Sequence, residues 1–273
     1  MVAWLRVVLA AFVLVPLAAR RSGLTKLPER LSMLVLLGAV QVAGPFMLIA
    51  AGEEEISSSL AGILVSSAPL FTALLAIWVD HEERSTGLRG LGIGLGFAGV
   101  VLLLGVDLGG SGSALLGGGA IVLASLGYAI GGFIAKHRLT EAEPLPIAAA
   151  VMTTSAVLLA PVGLATAPDS LPGLGPLAAV AALGLLGTGV AFAIFYSLID
   201  WVGPARTFIV TYIAPAFAVV YGATLLDEKV TVATLAGLAL IVGGSWLAAG
   251  GVSVREEPAP GRPAEVPVGD HAS

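Results

Sequence analysis

The sequence contains no cysteine and only three histidines among its 273 residues. Without thiols the chain has no disulfide, no thiol nucleophile and no thiolate metal ligand. The histidines, His81, His137 and His271, fall in loops or in the C-terminal tail, and none has a second ligand at metal-binding spacing. The sequence therefore predicts no metal centre.

Catalytic motifs are missing as well. The chain has no Gly-x-Ser-x-Gly, no His-Glu-x-x-His and no phosphate-binding loop ending in Gly-Lys-Ser/Thr. Its 18 carboxylates lie in predicted loops, at the ends of apolar segments or in the tail, so no acidic pair and no buried coupling carboxylate can be named. We expect neither an enzyme nor a cofactor.

Charge itself is scarce, and apolar residues take its place. Charged residues make up 11% of the chain and hydrophobic residues 57%, with 36 glycines and a mean hydropathy of +0.99. This composition is typical of a membrane protein, and the bilayer is its expected surrounding. The net charge of -5 is scattered over short loops and the tail, so nucleic acid is not expected as a partner.

Nine apolar segments are long enough to cross a hydrocarbon core of roughly 30 Å as α-helices. They lack the alternation that a membrane β-barrel requires, so the predicted fold is an all-α polytopic bundle. The predicted spans are 3–19, 31–51, 57–79, 88–106, 115–135, 146–165, 176–199, 207–226 and 230–249. The charged, proline-rich residues 250–273 are predicted to form a disordered tail.

Basic residues predict the orientation of this bundle. Eleven of the 13 lie on one side: Arg20, Arg21, Lys26, Arg30, Arg84, Arg89, Lys136, Arg138, Arg206, Arg255 and Arg262. The positive-inside rule places these loops and the C-terminus in the cytoplasm, with the protein in the plasma (inner) membrane. The acidic loop 53–55 and Asp169 are then external.

An Ala-Pro pair interrupts two of the spans. The segment SSAPLFTAL at 66–74 is repeated as YIAPAFAVV 146 residues later, and the same offset pairs Phe46 with Phe192. Agreement over several spans predicts two repeats, each of five spans. Because five is odd, the repeats would enter the membrane in opposite senses, as in many secondary transporters. Only four spans precede the second repeat, so we expect the lost first span about 30 residues upstream of Met1.

At these residues the chain resembles the EamA family of the drug/metabolite transporter superfamily. The resemblance rests on WLRVVLAAFVLVP at 4–16, APLFTALLAIWVDHEERST at 68–86 and APAFAVVYGATLLDEKVT at 214–231. It implies a ten-helix bundle of two inverted five-helix repeats, here with nine spans because the first helix is missing. The implied division is a first repeat at 1–106, a second repeat at 107–249 and a cytoplasmic tail at 250–273.

Polar and helix-breaking residues at mid-membrane are the candidates for a substrate pathway, because exposing them to lipid is unfavourable. Proline frees a backbone carbonyl, which is tolerated at that depth only against protein or a water-filled cavity. The mid-membrane candidates are Gln41, Ser66, Pro69, Tyr128, Tyr196, Thr211, Tyr212 and Pro215. Arg6 is a further candidate because it is the one charge inside a predicted span, where it lies about one turn from the external end. Two plainer interpretations stay open: the prolines are packing kinks, and Arg6 extends its charge to the membrane surface.

The glycines of two spans favour close helix packing over ligand binding. Gly92, Gly96 and Gly99 lie opposite Gly237 and Gly244 in the predicted repeat.

The expected function is secondary transport of small organic metabolites, amino-acid-like or drug-like solutes. The family resemblance implies that the transport is outward. The mechanism would be alternating access between the two repeats. The alternative is a non-transporting membrane protein, either lipid-handling or receptor-like. The sequence indicates no oligomeric state.

Overall fold

The computed structural model describes residues 1–20, 30–79, 87–107, 112–139, 143–168, 170, 172–207 and 213–248. Within these ranges all regular structure is helical, as predicted. The α-helices are α1 (Val2–Arg20), α2 (Leu31–Leu37), α3 (Gly44–Gly52), α4 (Ser58–Val65), α5 (Ala68–Val79), α6 (Gly87–Leu102), α7 (Gly112–Arg138), α8 (Pro144–Ala165), α9 (Leu174–Gly184), α10 (Ala191–Thr207), α11 (Ala214–Leu225) and α12 (Val232–Ala248).

Seven helical runs among the described residues are long and apolar enough to cross a membrane. They are Val2–Ala19, Leu31–Gly52, Ser58–Ile77, Gly87–Gly105, Gly112–Arg138, Pro144–Ala165 and Leu174–Gly203. They correspond to the first seven predicted spans. The last two predicted spans contain α11 and α12, which are apolar but shorter. The chain is therefore a polytopic helical membrane protein, and the count of nine spans stays a prediction.

Three runs contain π-helical turns, in which one extra residue widens the helix. The segment Gly38–Ala43 joins α2 to α3, Leu185–Val190 joins α9 to α10, and Leu103–Asp107 ends α6. Such turns shift the side chains that follow and commonly occur at functional sites. Gly203 interrupts α10 with φ 77° and ψ 167°, a conformation that side chains disfavour and glycine adopts freely.

The Ala-Pro pairs begin helices instead of kinking them. Pro69 is the second residue of α5, after a turn at Ser66 and Ser67, and Pro215 is the second residue of α11. A missing N–H costs little in the first helical turn, where backbone donors have no intrahelical acceptor. Proline is therefore suited to the second position of both α5 and α11.

The break between α4 and α5 keeps its carbonyls satisfied through serine hydroxyls. The Ser66 hydroxyl donates to the Ile63 carbonyl at 2.5 Å, and the Ser67 hydroxyl donates to the Leu64 carbonyl at 2.7 Å. The Val65 carbonyl, which the proline ring cannot pair, lies 3.2 Å from the Ser125 hydroxyl of α7. The Ile63 and Leu64 carbonyls also accept the backbone N–H groups of Ser66 and Ser67, each at 3.1 Å. Of these three carbonyls, only that of Val65 has a hydroxyl in place of a backbone donor.

Helices α6 and α12 approach each other to backbone contact. A Cβ atom added at Gly92 would lie 2.5 Å from the Ala248 nitrogen, and one at Gly99 would lie 2.9 Å from the Gly237 carbonyl oxygen. Gly244 meets both Gly92 and Gly96. The predicted close-packing surface is confirmed.

Buried apolar residues form two clusters, each built from both halves of the sequence. The first cluster joins α1, α2 and α3 to α8, α10 and the second half of α7. The second cluster joins α4, α5 and α6 to α12 and the first half of α7. Partly buried Val219 of α11 also packs against the second cluster. The packing units therefore differ from the two predicted sequence repeats.

Candidate substrate cavity

A cavity of about 320 Å³ lies where the two clusters meet. Most of its wall is apolar, and α10 contributes more of it than any other helix. The lining residues are Arg6, Gln41, Phe46, Val65, Ala68, Tyr128, Gly187, Ala191, Phe192, Ile194, Phe195, Leu198 and Thr207. A volume of this size, with few polar groups in an apolar wall, is typical of a small-molecule site.

Arg6 brings a formal charge into this cavity from the first turns of α1. Its Nε donates a hydrogen bond to the Thr188 hydroxyl at 3.2 Å. Its guanidinium carbon lies 4.4 Å from the centroid of the Phe46 ring, a cation–π contact. Among the described residues no carboxylate forms an ion pair with it. The side chain therefore lines the cavity instead of extending to the membrane surface.

Glu53, at the C-terminal end of α3, is close enough to interact electrostatically with Arg6. Burial raises the pKa of this carboxyl group, and the positive charge of Arg6 opposes that rise. A second carboxylate, Glu228, raises the pKa further. The end of the bundle near Arg6 thus holds opposing charges without direct pairing among the described residues.

Gln41 lies in the π-helical turn after α2 and is fully buried. The Tyr196 hydroxyl of α10 donates to its Oε1 at 2.6 Å. Its Nε2 has no partner among the described residues. Whichever way the amide is turned, one of its two polar atoms lacks a partner, and leaving a buried polar group unpaired costs about 1–3 kcal/mol. Gly131 on α7 leaves the space that this side chain occupies.

Aromatic rings form one wall of the cavity. The rings of Phe46 and Phe192 meet edge to face with centroids 6.4 Å apart. Phe192 also contacts Phe195 and Tyr196, at 6.0 and 6.2 Å. This ring cluster offers an apolar surface beside the Arg6 charge.

A second cavity, of about 490 Å³, lies near the C-terminal end of α7. It is lined by Ala135, Lys136, Leu139, Pro144, Ile147, Tyr196, Ile199, Asp200, Val202 and Gly203. Tyr196 lines this cavity and bonds to Gln41, which lines the central one. The hydrogen bond therefore joins the walls of the two cavities.

The predicted pathway residues separate into three groups. Arg6, Gln41 and Tyr128 line the central cavity, with Tyr196 bonded to Gln41. Ser66, Pro69 and Pro215 are buried and do not line it; Val65 and Ala68 take that place beside the helix break. Thr211 and Tyr212 lie outside the described residues.

On the side away from the second cavity, α4 packs directly against α11. Glu228 receives hydrogen bonds from the backbone N–H groups of Ser58 and Ser59, both at 2.9 Å, and from the Ser59 hydroxyl. Burial raises the pKa of Glu228, but these bonds outweigh it and hold the pKa below its ordinary value. Gly62 faces Ala218 one turn further along, where an added side chain would collide. The carboxylate thus caps α4 from the other half of the sequence.

Sequence reasoning did not select several of these residues. Phe192 and Phe195 look like ordinary core residues, and the match of Phe46 with Phe192 was the available signal for the ring cluster. Ser125 carries no signal, because its role depends on how α7 packs against the break. Glu228 carries no signal either, because its hydrogen bonds reach a helix about 170 residues away in the sequence.

Comparison with known proteins identifies the family of this chain. A model described as the EamA-like transporter family matches residues 1–105 and 115–250. The chain belongs to this family. The similar solved structures include a crystal structure with a TM-score of 0.66 that covers 90% of this chain and 86% of its own, at 22% identity. At this level of identity the similarity supports the fold of the EamA-like chain and nothing about its function.

Curated relatives of the EamA-like chain are named as transporters. An "Uncharacterized inner membrane transporter YedA" of Escherichia coli is 28% identical over 223 residues, 80% of this chain and 71% of the relative. An "Uncharacterized transporter" of Archaeoglobus fulgidus is 25% identical over 72% of this chain and 69% of its own length. A "Probable terminal-alkyne amino-acid exporter" of Streptantibioticus cattleyicolor is 27% identical over 85% and 76%. The resemblance to the EamA family is confirmed, and a membrane transporter is favoured over a non-transporting protein.

Proposed function

We propose that this EamA-like protein is a secondary transporter that exports small organic solutes through the central cavity. The observation that carries the proposal is the cavity itself, with its aromatic wall and the Arg6 charge at the meeting point of two packing units. The export direction is supported by one relative's name, which describes an amino-acid exporter.

The proposed architecture is a pair of inverted repeats at 1–106 and 107–249, followed by a cytoplasmic tail at 250–273. Equivalent features support it at an offset of 146 or 147 residues. The π-helical turns start at Gly38 and Leu185, and a non-helical residue precedes a helix at Ser57 and Gly203. Corresponding Phe46 and Phe192 meet at the cavity. We place the basic loops and the C-terminus in the cytoplasm on the basis of loop charge.

The moving bodies in this proposal are the two packing clusters, not the repeats. Each cluster takes helices from both repeats, and the cavity lies between them, so a relative rotation changes access to it. The contact of α4 with α11 closes the external end, through the Glu228 cap and the approach of Gly62 to Ala218. Breaking this contact would open the cavity outward.

The second cavity is the proposed cytoplasmic entrance. Its wall holds Lys136 and Asp200, and the Tyr196–Gln41 hydrogen bond lies between it and the central cavity. A solute entering from the cytoplasm would replace this hydrogen bond with contacts of its own and then reach Arg6. The Tyr196 side chain would act as an inner gate.

Flux through reconstituted vesicles tests the proposal. The full chain is inserted into liposomes loaded with a mixture of labelled carboxylates, amides, amines and amino acids, and efflux of each is followed. We expect faster efflux of at least one class than from protein-free vesicles. A Tyr196→Phe variant, which cannot donate to Gln41, should alter the rate of that same solute. Efflux no faster than from empty vesicles for every class, from protein that elutes as a folded species, would contradict a transport function.

A further inference from the structure

Arg6 is the one formal charge among the described residues that line the central cavity. A guanidinium stays protonated in proteins, so burial cannot neutralise it as it neutralises a carboxyl group. Arg6 is partly buried, and such a charge is unfavourable without an ion-pair partner; Glu53 interacts with it electrostatically, but no described carboxylate pairs with it directly. The cavity therefore has an electrostatic preference for a solute that brings a negative charge.

The hydrogen-bonding state of Arg6 indicates the shape of that anion. Nε is used by Thr188, and one face of the guanidinium lies over Phe46. The two terminal Nη groups have no hydrogen-bond partner among the described residues, and neither nitrogen is among the fully buried polar atoms that lack a partner. Two adjacent N–H donors on one edge match the two oxygens of a carboxylate.

The rest of the lining indicates the remainder of the solute. Phe46, Phe192 and Phe195 present rings, and Val65 and Ala68 complete an apolar wall. The described lining residues include no carboxylate that could pair with an ammonium group. The volume of about 320 Å³ is at the lower end of the range for ligand pockets, which limits the solute to a small molecule.

We propose that Arg6 is the anion-binding residue of this cavity and that the transported solutes are small monocarboxylates with an apolar body. This inference rests on the proposed transport function and specifies its substrate class. The carboxylate pairs with the Nη groups of Arg6 while its apolar body packs against Phe46 and Phe192. Gln41, whose Nε2 lacks an acceptor, is the second donor within the same wall.

Equilibrium binding to the purified full chain tests this assignment without transport. The probe is radiolabelled 3-phenylpropionate, and the competitors are matched in size: 3-phenylpropanamide is neutral, 3-phenylpropylamine is cationic, and L-phenylalanine adds an ammonium group to the probe. We expect the acid to bind at least tenfold more tightly than the amide or the amine, a difference of ~1.4 kcal/mol at 25 °C. We also expect it to bind more tightly than L-phenylalanine.

Substitutions of arginine test whether Arg6 is the residue that binds the carboxylate. Arg6→Gln should weaken 3-phenylpropionate binding at least tenfold, and Arg6→Lys should weaken it less, because lysine keeps the charge but loses the paired donors. Arg20→Gln, an exposed arginine at the other end of α1, is the matched control and should bind as the parent does. Thermal unfolding of each variant shows whether it is folded. If Arg6→Gln does not fold, the selectivity of the parent protein among the four ligands still decides the assignment.

Four results would overturn the assignment. They are equal competition by the amide, unchanged affinity in Arg6→Gln, tighter binding of L-phenylalanine, and no binding of 3-phenylpropionate to the parent protein. The vesicle assay separates this failure from the failure of transport. Efflux of amines, amides or amino acids that persists in Arg6→Gln would leave the transporter in place with another substrate class.

Discussion

Replacing Glu228 with glutamine should weaken the contact between α4 and α11. The carboxylate accepts three hydrogen bonds, two from backbone N–H groups in the first turn of α4 and one from the Ser59 hydroxyl. Glutamine keeps one acceptor oxygen and replaces the other with an NH₂ group, which cannot accept. The variant therefore loses at least one backbone bond and the negative charge at a helix N-terminus.

The expected loss follows from these bonds. Charge-assisted hydrogen bonds contribute ~1.5–3 kcal/mol when they are buried. Glu228 is partly exposed, so screening by solvent brings the expected loss nearer to that of a helix cap, about 1–2 kcal/mol. For a chain of this size each kcal/mol lowers the melting temperature by ~2–4 °C.

Thermal unfolding of the purified protein in detergent, measured from pH 7 to pH 3, is the assay. The pKa of Glu228 is lower in the folded protein than its ordinary value of 4.5. Its stabilisation is therefore complete above about pH 4.5 and is lost as the pH falls through the folded pKa. We expect Glu228→Gln to melt below the parent at pH 7 and the difference to shrink as the pH falls below 4.5.

Asp227→Asn is the matched control. Asp227 is the exposed neighbour of Glu228 and has a φ of 52°, which asparagine tolerates well. The control removes the same charge without removing a hydrogen bond that the structure records. An equal loss in both variants, or a Glu228→Gln deficit that stays constant down to pH 3, would refute the capping argument.

Three further expectations concern packing and orientation. Gly92→Ala should lower stability by about 1–3 kcal/mol because its Cβ meets the backbone of α12. Gly94→Ala on the same helix meets nothing within 4 Å and should be neutral or stabilising in the same melts. Ser125→Ala should cost about 1 kcal/mol by leaving the Val65 carbonyl unpaired, and an unchanged melting temperature would contradict this. In intact cells an impermeant thiol reagent should label a cysteine introduced at Glu54 and not one at Lys136; the reverse would invert the topology.

The features of this structure that could be predicted from the sequence are those that depend on residues close together in the chain. The apolar runs of about 20 residues predicted the first seven spans because bilayer thickness sets their length. The small faces of α6 and α12 were predictable for the same kind of reason, since glycine spacing along one helix is a local pattern.

The cavity was only partly predictable. Gln41 and Tyr128 were found because polar groups at mid-depth must avoid lipid, and Arg6 was found because it is the one charge inside a predicted span. Phe195 was not, because an aromatic residue in a span is compatible with lipid, core or cavity. The interpretation of Pro69 as a packing kink missed that the helix ends at Val65 and restarts at Ala68. The sequence does not show that one donor from α7, the Ser125 hydroxyl, reaches the Val65 carbonyl there.

The Ser125 hydroxyl has one proton and three carbonyl oxygens within reach. The distances are 3.1 Å to Ile121, 3.2 Å to Leu64 and 3.2 Å to Val65. Rotation of the hydroxyl redirects the proton from one acceptor to another without moving the backbone. A change in the angle between α4 and α5 can therefore move the proton from one carbonyl to another, but the hydroxyl serves only one carbonyl at a time, in a medium that offers no water to the others.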